Sequence, residues 1–258
     1  MFEDLKTFLW FLRKGPKFYA TMIALILRKF RPARDNTDPE TRDIVRKWCE
    51  DNLVSYEECM IKLGFKPIKE EVFSPDYFRE VNSKIEISES NFGGQGHVFL
   101  LYGVCENLEA VKVLETGVAY GWTSAAILSS IKKRSGKLIS VDMPMVRQTD
   151  YHLIGTAVHE DLKGNWELLR EPDKHGLNKA IKKHNYSYDL AHYDSDKSYY
   201  GRKWAQPLIW QYLRKGGIFI SDDIEDNSAF REFVVLSHLD FSVLKFEGKY
   251  VGVIRKNT

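Results

Sequence analysis

Cysteine is scarce in this chain. There are three in 258 residues, Cys49, Cys59 and Cys105, and none forms a C-x-x-C pair. Two of them fall in helical patterns, so they read as buried free thiols in a reducing, cytoplasmic setting. A membrane span is also missing, since no stretch reaches the ~18–20 consecutive apolar residues of a crossing helix. The N-terminus does not read as a signal peptide: Glu3 and Asp4 precede its first apolar run, and Arg13 and Lys14 interrupt it. Nor is there a large excess of one charge. The formal net charge of +2 offers no case for a nucleic-acid partner. With 43% hydrophobic and 29% charged residues the composition is that of an ordinary globular chain. Its length suits one large domain, or one domain with a helical extension.

The small net charge conceals an uneven distribution. Residues 1–34 carry Lys6, Arg13, Lys14, Lys17, Arg28, Lys29, Arg31 and Arg34 against Glu3 and Asp4, a local net charge of +6. Between these charges lie Leu5, Phe8, Leu9, Trp10, Phe11 and Leu12, then Phe18, Tyr19, Met22, Ile23, Leu25, Ile26, Leu27 and Phe30. Gly15-Pro16 divides the stretch into two short predicted helices. Two readings stand side by side for the segment 1–35. A basic amphipathic surface suits the anionic inner face of a membrane or a partner. Apolar residues almost all round the helix suit packing on the chain's own domain, or a homodimer.

A linker is expected at Pro32–Thr37, and residues 36–92 read as a helical extension or lid. Asp38-Pro39-Glu40 is a helix start, with Ile44, Val45, Trp48 and Cys49 at helical spacing behind it. Ser55-Tyr56-Glu57-Glu58 is a capping box, and Gly64 is placed to end that helix. Residues 65–92 give weak signals. Gly93, Gly94 and Gly96 make a flexible loop before a helix at Val98–Leu108, and His97 faces a site or is structural.

The chain is organised around Val111–Asp142. The apolar run Val111–Leu114 predicts a buried strand; Gly117 and Gly121 lie in a turn; Ala125, Ala126, Ile127, Leu128 and Ile131 follow at helical spacing; and Leu138–Val141 is a second strand ending at Asp142. This is one βαβ unit. A glycine at the first turn admits a ligand to the backbone, a helix N-terminus offers free N–H groups, and an acid ending the second strand suits ribose hydroxyls. The stretch therefore reads as a nucleoside site. The dinucleotide fingerprint G-x-G-x-x-G is absent, and Glu115 would repel a pyrophosphate, which argues against NAD(P).

Beyond Asp142 a helix is expected around Gly155–Leu162 and a third strand at Asn165–Arg170, followed by Asp173. Tyr188–Tyr199 reads as a strand ending in ionisable groups, Asp194, Asp196 and Lys197 among them. Gly216-Gly217 precedes an apolar strand that ends at Asp222-Asp223. Phe241–Phe246 and Tyr250–Lys256 form a terminal hairpin. The acid clusters all fall at strand C-termini, where open α/β sheets bind ligands.

The turn Glu115-Thr116-Gly117-Val118-Ala119-Tyr120-Gly121 resembles the E/D-x-G-x-x-x-G motif of class I S-adenosylmethionine (SAM) dependent methyltransferases. Residues 93–258 are similar to that family, and most similar to its metal-assisted O-methyltransferases of the catechol and sugar types. The resemblance implies an α/β, Rossmann-like seven-stranded sheet with helices on both faces, here with an N-terminal helical extension. It implies SAM as cofactor, with Glu115, Gly117, Tyr120, Gly121, Thr123, Ser124, Asp142 and Asp173 as its contacts. It implies a divalent cation, magnesium, held by Asp194, Asp222 and Asp223, with Lys197 as general base three residues after Asp194. Lysine serves as a base only if its pKa is lowered. The expected reaction is methyl transfer to a hydroxyl of a small molecule, sugar or glycan, with Trp122, Tyr193, Tyr199, Tyr200 and Trp204 as candidate stacking surfaces. A noncatalytic module of the same fold, held at a membrane assembly, and an NAD(P)-dependent oxidoreductase are the alternatives.

Overall fold

Two short helices open the chain, as the Gly15-Pro16 break predicts. The structure is a computed structural model and describes residues 2–28, 30, 38–68, 70–86, 91–146 and 150–257. Helix α1 (Phe2–Lys14) and helix α2 (Tyr19–Arg28) are joined by Gly15 at φ +93° and a single 3₁₀ turn at Pro16–Phe18. Phe11 and Phe18 are buried, and Trp10 meets both edge-on. The linker expected at Pro32–Thr37 lies outside the described residues, as do Lys29, Arg31 and Arg34.

Helix α3 (Pro39–Asp51) starts at Asp38, whose carboxylate accepts from the Thr41 hydroxyl rather than from a backbone N–H. Helix α4 (Tyr56–Lys62) has the complete capping box of Ser55 and Glu58. Helix α5 (Pro75–Ile85) falls in the stretch of weak sequence signals; Ser74 caps it by accepting from the Tyr77 N–H. Helix α6 (Val98–Asn107) is buried on most sides and leads into the sheet.

The sheet alternates with helices in chain order: β1 (Lys112–Thr116), α7 (Trp122–Ile131), β2 (Lys137–Val141), β3 (Trp166–Leu169), α8 (Asp173–Lys183), β4 (Tyr188–Tyr193), α9 (Tyr199–Tyr212), β5 (Leu213–Ser221), α10 (Ala229–Leu236), β6 (Phe241–Phe246) and β7 (Lys249–Arg255). The strand order is β3-β2-β1-β4-β5-β7-β6, parallel except for the pairings that β7 makes. This is the expected Rossmann-like seven-stranded sheet. The order reverses between β1 and β4, so a crevice opens beyond their carboxyl ends.

Alternating side chains divide the interior into two layers. Ile139, Leu114, Ala191, Phe219 and Ile254 lie in one register row and pack with residues of α3, α8, α9 and α10. Leu138, Val113, Leu190 and Ile218 form the next row and pack with α6 and α7. A fully buried large apolar side chain contributes about 1.5–3 kcal/mol. The two rows therefore outweigh the two phenylalanines that anchor α1–α2.

Two expectations are corrected. No helix spans Gly155–Leu162: the described segment holds 3₁₀ turns at Tyr151–Leu153 and Glu160–Asn165. Its donors are engaged elsewhere, for the Gly155 N–H bonds the Ala119 carbonyl and the Ala157 N–H bonds the Tyr120 carbonyl. The segment thus braces the first glycine turn. The second correction concerns Gly216-Gly217, which lie within β5 rather than before it, where the register to β4 shifts.

Candidate active site

The β1–α7 turn forms the floor of the crevice. Gly117 has φ +76°, and a Cβ there would lie 2.1 Å from the Asp194 carbonyl oxygen. Gly121 has φ +84°, and a Cβ there would lie 2.7 Å from Gly155 Cα. Both positions require glycine for conformation and for space. Above the turn is a cavity of about 360 Å³. Gly117, Thr123, Asp142, Asp173, Asp194 and Lys197 all line it, so six of the sequence candidates converge on one space. The loop carrying Gly94 and Gly96 and the α2 residues Thr21, Ala24 and Leu25 complete the wall.

Glu115 is placed differently from expectation. It is fully buried behind the turn. Thr123 donates to its Oε1 at 2.8 Å, while Ser124 and Ser140 donate to its Oε2 at 2.5 and 2.7 Å. These bonds occupy both oxygens and engage the hydroxyls of Thr123 and Ser124 as well. Glu115 therefore acts from beneath the pocket floor and does not line the cavity. Tyr120 and Gly121 also lie outside the lining, Tyr120 packing edge-on against Phe92.

Beside Glu115 lies a group that sequence reasoning missed. His192 on β4 is buried, with Nδ1 3.6 Å from Glu115 Oε1 and Nε2 3.4 Å from Asp222 Oδ2. Burial alone would lower its pKa, but the carboxylates of Asp222 and Glu115 hold it up to about 10. It is an imidazolium at neutral pH, clamped between two acids.

The cavity-facing acids differ. Asp142 Oδ1 accepts from the Val118 N–H at 3.2 Å, and its other oxygen is paired with Arg170. Asp173 accepts from the Ser195 hydroxyl at 2.5 Å, and burial pushes its pKa up to about 6. Burial, then repulsion from Asp222, pushes Asp194 up to about 6. Lys197 Nζ lies 3.1 Å from Asp194 Oδ1 and is paired with Asp223. Lys249, which no sequence motif marks, sits 3.0 Å from Asp223 Oδ1. Burial opposes the charge on Asp223, but Lys197 and Lys249 prevail and hold its carboxyl below the usual range.

Two expectations meet this geometry and fare poorly. A general-base lysine needs a lowered pKa, yet the carboxylates of Asp194 and Asp223 outweigh burial and raise that of Lys197. The three aspartates expected to hold magnesium lie close together but are engaged with cations of the chain. Asp222 faces His192, and Asp223 is shared by Lys197 and Lys249. Among the described residues, no group of three or more His, Cys, Asp or Glu side chains is arranged to hold a metal ion. The donors do not fit the cation, because ammonium and imidazolium groups already match their charge.

Of the expected stacking aromatics, Trp122 and Trp204 line the cavity. Trp122 is mostly covered by Phe73, Tyr77 and Phe78. The Tyr193 hydroxyl donates to the Asp196 carbonyl and that of Tyr199 to Glu232, so both are engaged in the fold. His97 is structural: its Nδ1 accepts from the Leu100 N–H to cap α6, and its ring stacks on Phe246.

Comparison with known proteins agrees with this architecture. A family model described as a methyltransferase domain matches residues 114–224. No curated protein matches the chain. Among solved structures, the O-methyltransferase from Bacillus cereus in complex with S-adenosylhomocysteine (SAH) superposes with a TM-score of 0.57 at 14% identity, covering 71% of this chain and 92% of that one. A methyltransferase from Geobacter sulfurreducens gives 0.56 at 13% identity, over 80% and 98% of the two chains. The O-methyltransferase TomG of Streptomyces achromogenes, involved in tomaymycin synthesis and solved with SAM, gives 0.54 at 11% identity, over 72% and 91%. The chain has the fold of the class I SAM-dependent methyltransferases, with the methyltransferase-domain match running from β1 to just beyond β5.

Proposed function

We propose that this chain is a SAM-dependent O-methyltransferase acting on a hydroxyl of a small molecule, sugar or glycan. The observation that carries the reading is the convergence of Gly117, Asp142, Asp173, Asp194 and Lys197 on one cavity at the topological switch of the sheet. SAM supplies a methyl group on a sulfonium, ready for in-line displacement. The matching neighbours bound to SAH and SAM are of the same fold, which supports that choice of cofactor.

The residues divide the work by their surroundings. The positive-φ turn at Gly117 lets the backbone approach the cofactor. Asp142, at the end of β2, would accept from the ribose hydroxyls of a bound cofactor. Asp173, at the start of α8, lines the same cavity and would meet the adenine of a bound cofactor. Asp194 is the better proton acceptor, because a base titrating near 6 works close to neutral pH whereas Lys197 stays protonated. With SAM bound as methyl donor, leaving as SAH, Asp194 would take the proton of the acceptor hydroxyl. Lys197, held by Asp194 and Asp223, offers a fixed positive charge to the oxygen as it loses that proton. No part of this scheme needs a metal ion.

Calorimetric titration with SAM and SAH tests the reading. Wild type is expected to bind both in the micromolar range. Asp142→Asn should bind about tenfold or more weakly, the scale of one hydrogen bond to a charged group. Absence of binding to either compound would overturn the proposal.

A further inference from the structure

Helix α2 presents two apolar faces. Thr21, Ala24 and Leu25 line the cavity. Ile23, Ile26 and Leu27 are 51%, 43% and 40% exposed, and Phe30 just beyond the helix is 81% exposed. At about 100° per residue the two sets point in opposite directions. Helix α1 adds a second outward row: Leu5, Phe8, Leu9 and Leu12, all exposed at the i, i+3, i+4, i+7 spacing, while Phe11 turns inward. Lys6, Arg13 and Lys14 are exposed on the same pair of helices, within a segment of net charge +6.

We propose that the α1–α2 pair docks on an anionic bilayer surface, with the inner face of α2 holding the cavity at that surface. The occupant follows from charge and size. A basic segment with exposed apolar rows complements acidic headgroups above acyl chains, whereas a second copy would oppose one +6 segment to another. No described helix is long and apolar enough to cross a membrane. Helices of 13 and 10 residues instead lie in the interfacial plane. Lys17, 3.2 Å from Glu171, and the cavity-lining residues of α2 tie the pair to the domain, while Phe11 and Phe18 are buried against Trp10 within it. The methyl-transfer reading enters only in naming the cavity as the reaction site.

Vesicle sedimentation of the full chain tests this. The vesicles are of phosphatidylcholine alone or with about one part in three of phosphatidylglycerol, at low and high salt. Partitioning onto the acidic vesicles is expected to be about tenfold or more above that onto the neutral ones, and to fall with salt. The variant Ile23→Ser/Ile26→Ser/Leu27→Ser changes exposed positions away from the cavity. It should lose most vesicle binding while its SAM titration matches wild type, which separates this proposal from the cofactor reading. Equal binding to both vesicle types, no binding, or full retention by the variant would overturn the proposal. So would a dimer, seen by light scattering, that the same variant abolishes, since the surface would then belong to a second copy.

Discussion

Glu115 and Asp194 lie at the carboxyl ends of adjacent strands, and the fold treats them oppositely. Glu115 has three hydroxyl donors and a nearby imidazolium, and no exposure. Asp194 faces the cavity, has Lys197 as its ion-pair partner and is pushed up to about 6. Hydrogen bonds to a carboxylate fix its charge, while burial beside another acid makes its proton easy to hold. The saturated acid therefore organises the floor, and the under-supplied one is suited to chemistry.

This contrast is broken most severely at the reacting group. Asp194→Asn should lower turnover by about 10²–10⁴-fold, the range of a lost general base, while the fold and SAM affinity hold. The rate is read as SAH release with any hydroxyl acceptor that wild type turns over. Lys197→Gln should also slow turnover and, because it removes a cation that lowers the Asp194 pKa, should raise the apparent pKa of that carboxyl; a pH–rate profile shifted to higher pH is the mark. At the other pole, Glu115→Ala should cost stability rather than chemistry. It strands the charged His192 and three hydroxyls in the interior, a loss of about 3–5 kcal/mol for breaking a buried ion pair. Chemical denaturation measures it, and a variant as stable as wild type would refute the structural role assigned to Glu115.

The sequence shows the βαβ unit because its signals are local: an apolar run, a glycine pair, helical spacing, a second run and Asp142. Asp194 and Lys197 were visible for the same reason, as ionisable groups at the end of a strand. The inward setting of Glu115 was not, because it depends on register. Ser140 pairs with Glu115 across β2, and His192 pairs with it across β4. Neither neighbour is close in the chain. Lys249 reaches Asp223 by the same kind of long-range pairing, from the terminal hairpin. Helix α5 is another matter: Ser74-Pro75-Asp76 is the same local start signal as Asp38-Pro39-Glu40, but it stands among the weak patterns of residues 65–92. The two stripes of α2 blur each other in the sequence and separate only when the cavity takes one of them.

Acid and alkali should act on different halves of the comparison. Asp173 and Asp194 have pKa values raised from 3.8 to about 6. Each binds its proton more tightly in the fold, so its contribution to stability falls as pH rises from about 4 through 6. SAM is expected to prefer ionised Asp173, and affinity should drop below pH 6, roughly tenfold if the ligand shifts that pKa by one unit. His192 is raised from 6.5 to about 10. Its contribution is complete below 6.5 and is lost as pH rises through 10. Titrations of SAM from pH 5 to 8 and melting curves from pH 7 to 11 check the two halves separately. A SAM affinity flat across the acid range would remove Asp173 from cofactor recognition.

The smallest expected effect is that of magnesium. Asp222 is turned to His192, and Asp223 is shared between Lys197 and Lys249. A divalent cation entering here would have to displace ammonium groups from the acids or sit beside them, and at 4 Å like charges repel by about 4 kcal/mol per unit charge pair at an effective dielectric of 20. Turnover and SAM affinity should therefore be unchanged by added magnesium or by a chelator. Lys197→Gln offers the sharper form of the test, because it removes the charge that stands between Asp194 and Asp223. If magnesium then binds where it did not before, with a heat absent from wild type, the lysine is the group that keeps the cation out. If wild type itself loses activity on chelation, the carboxylates rearrange around a metal, and Lys197 returns to consideration as the base.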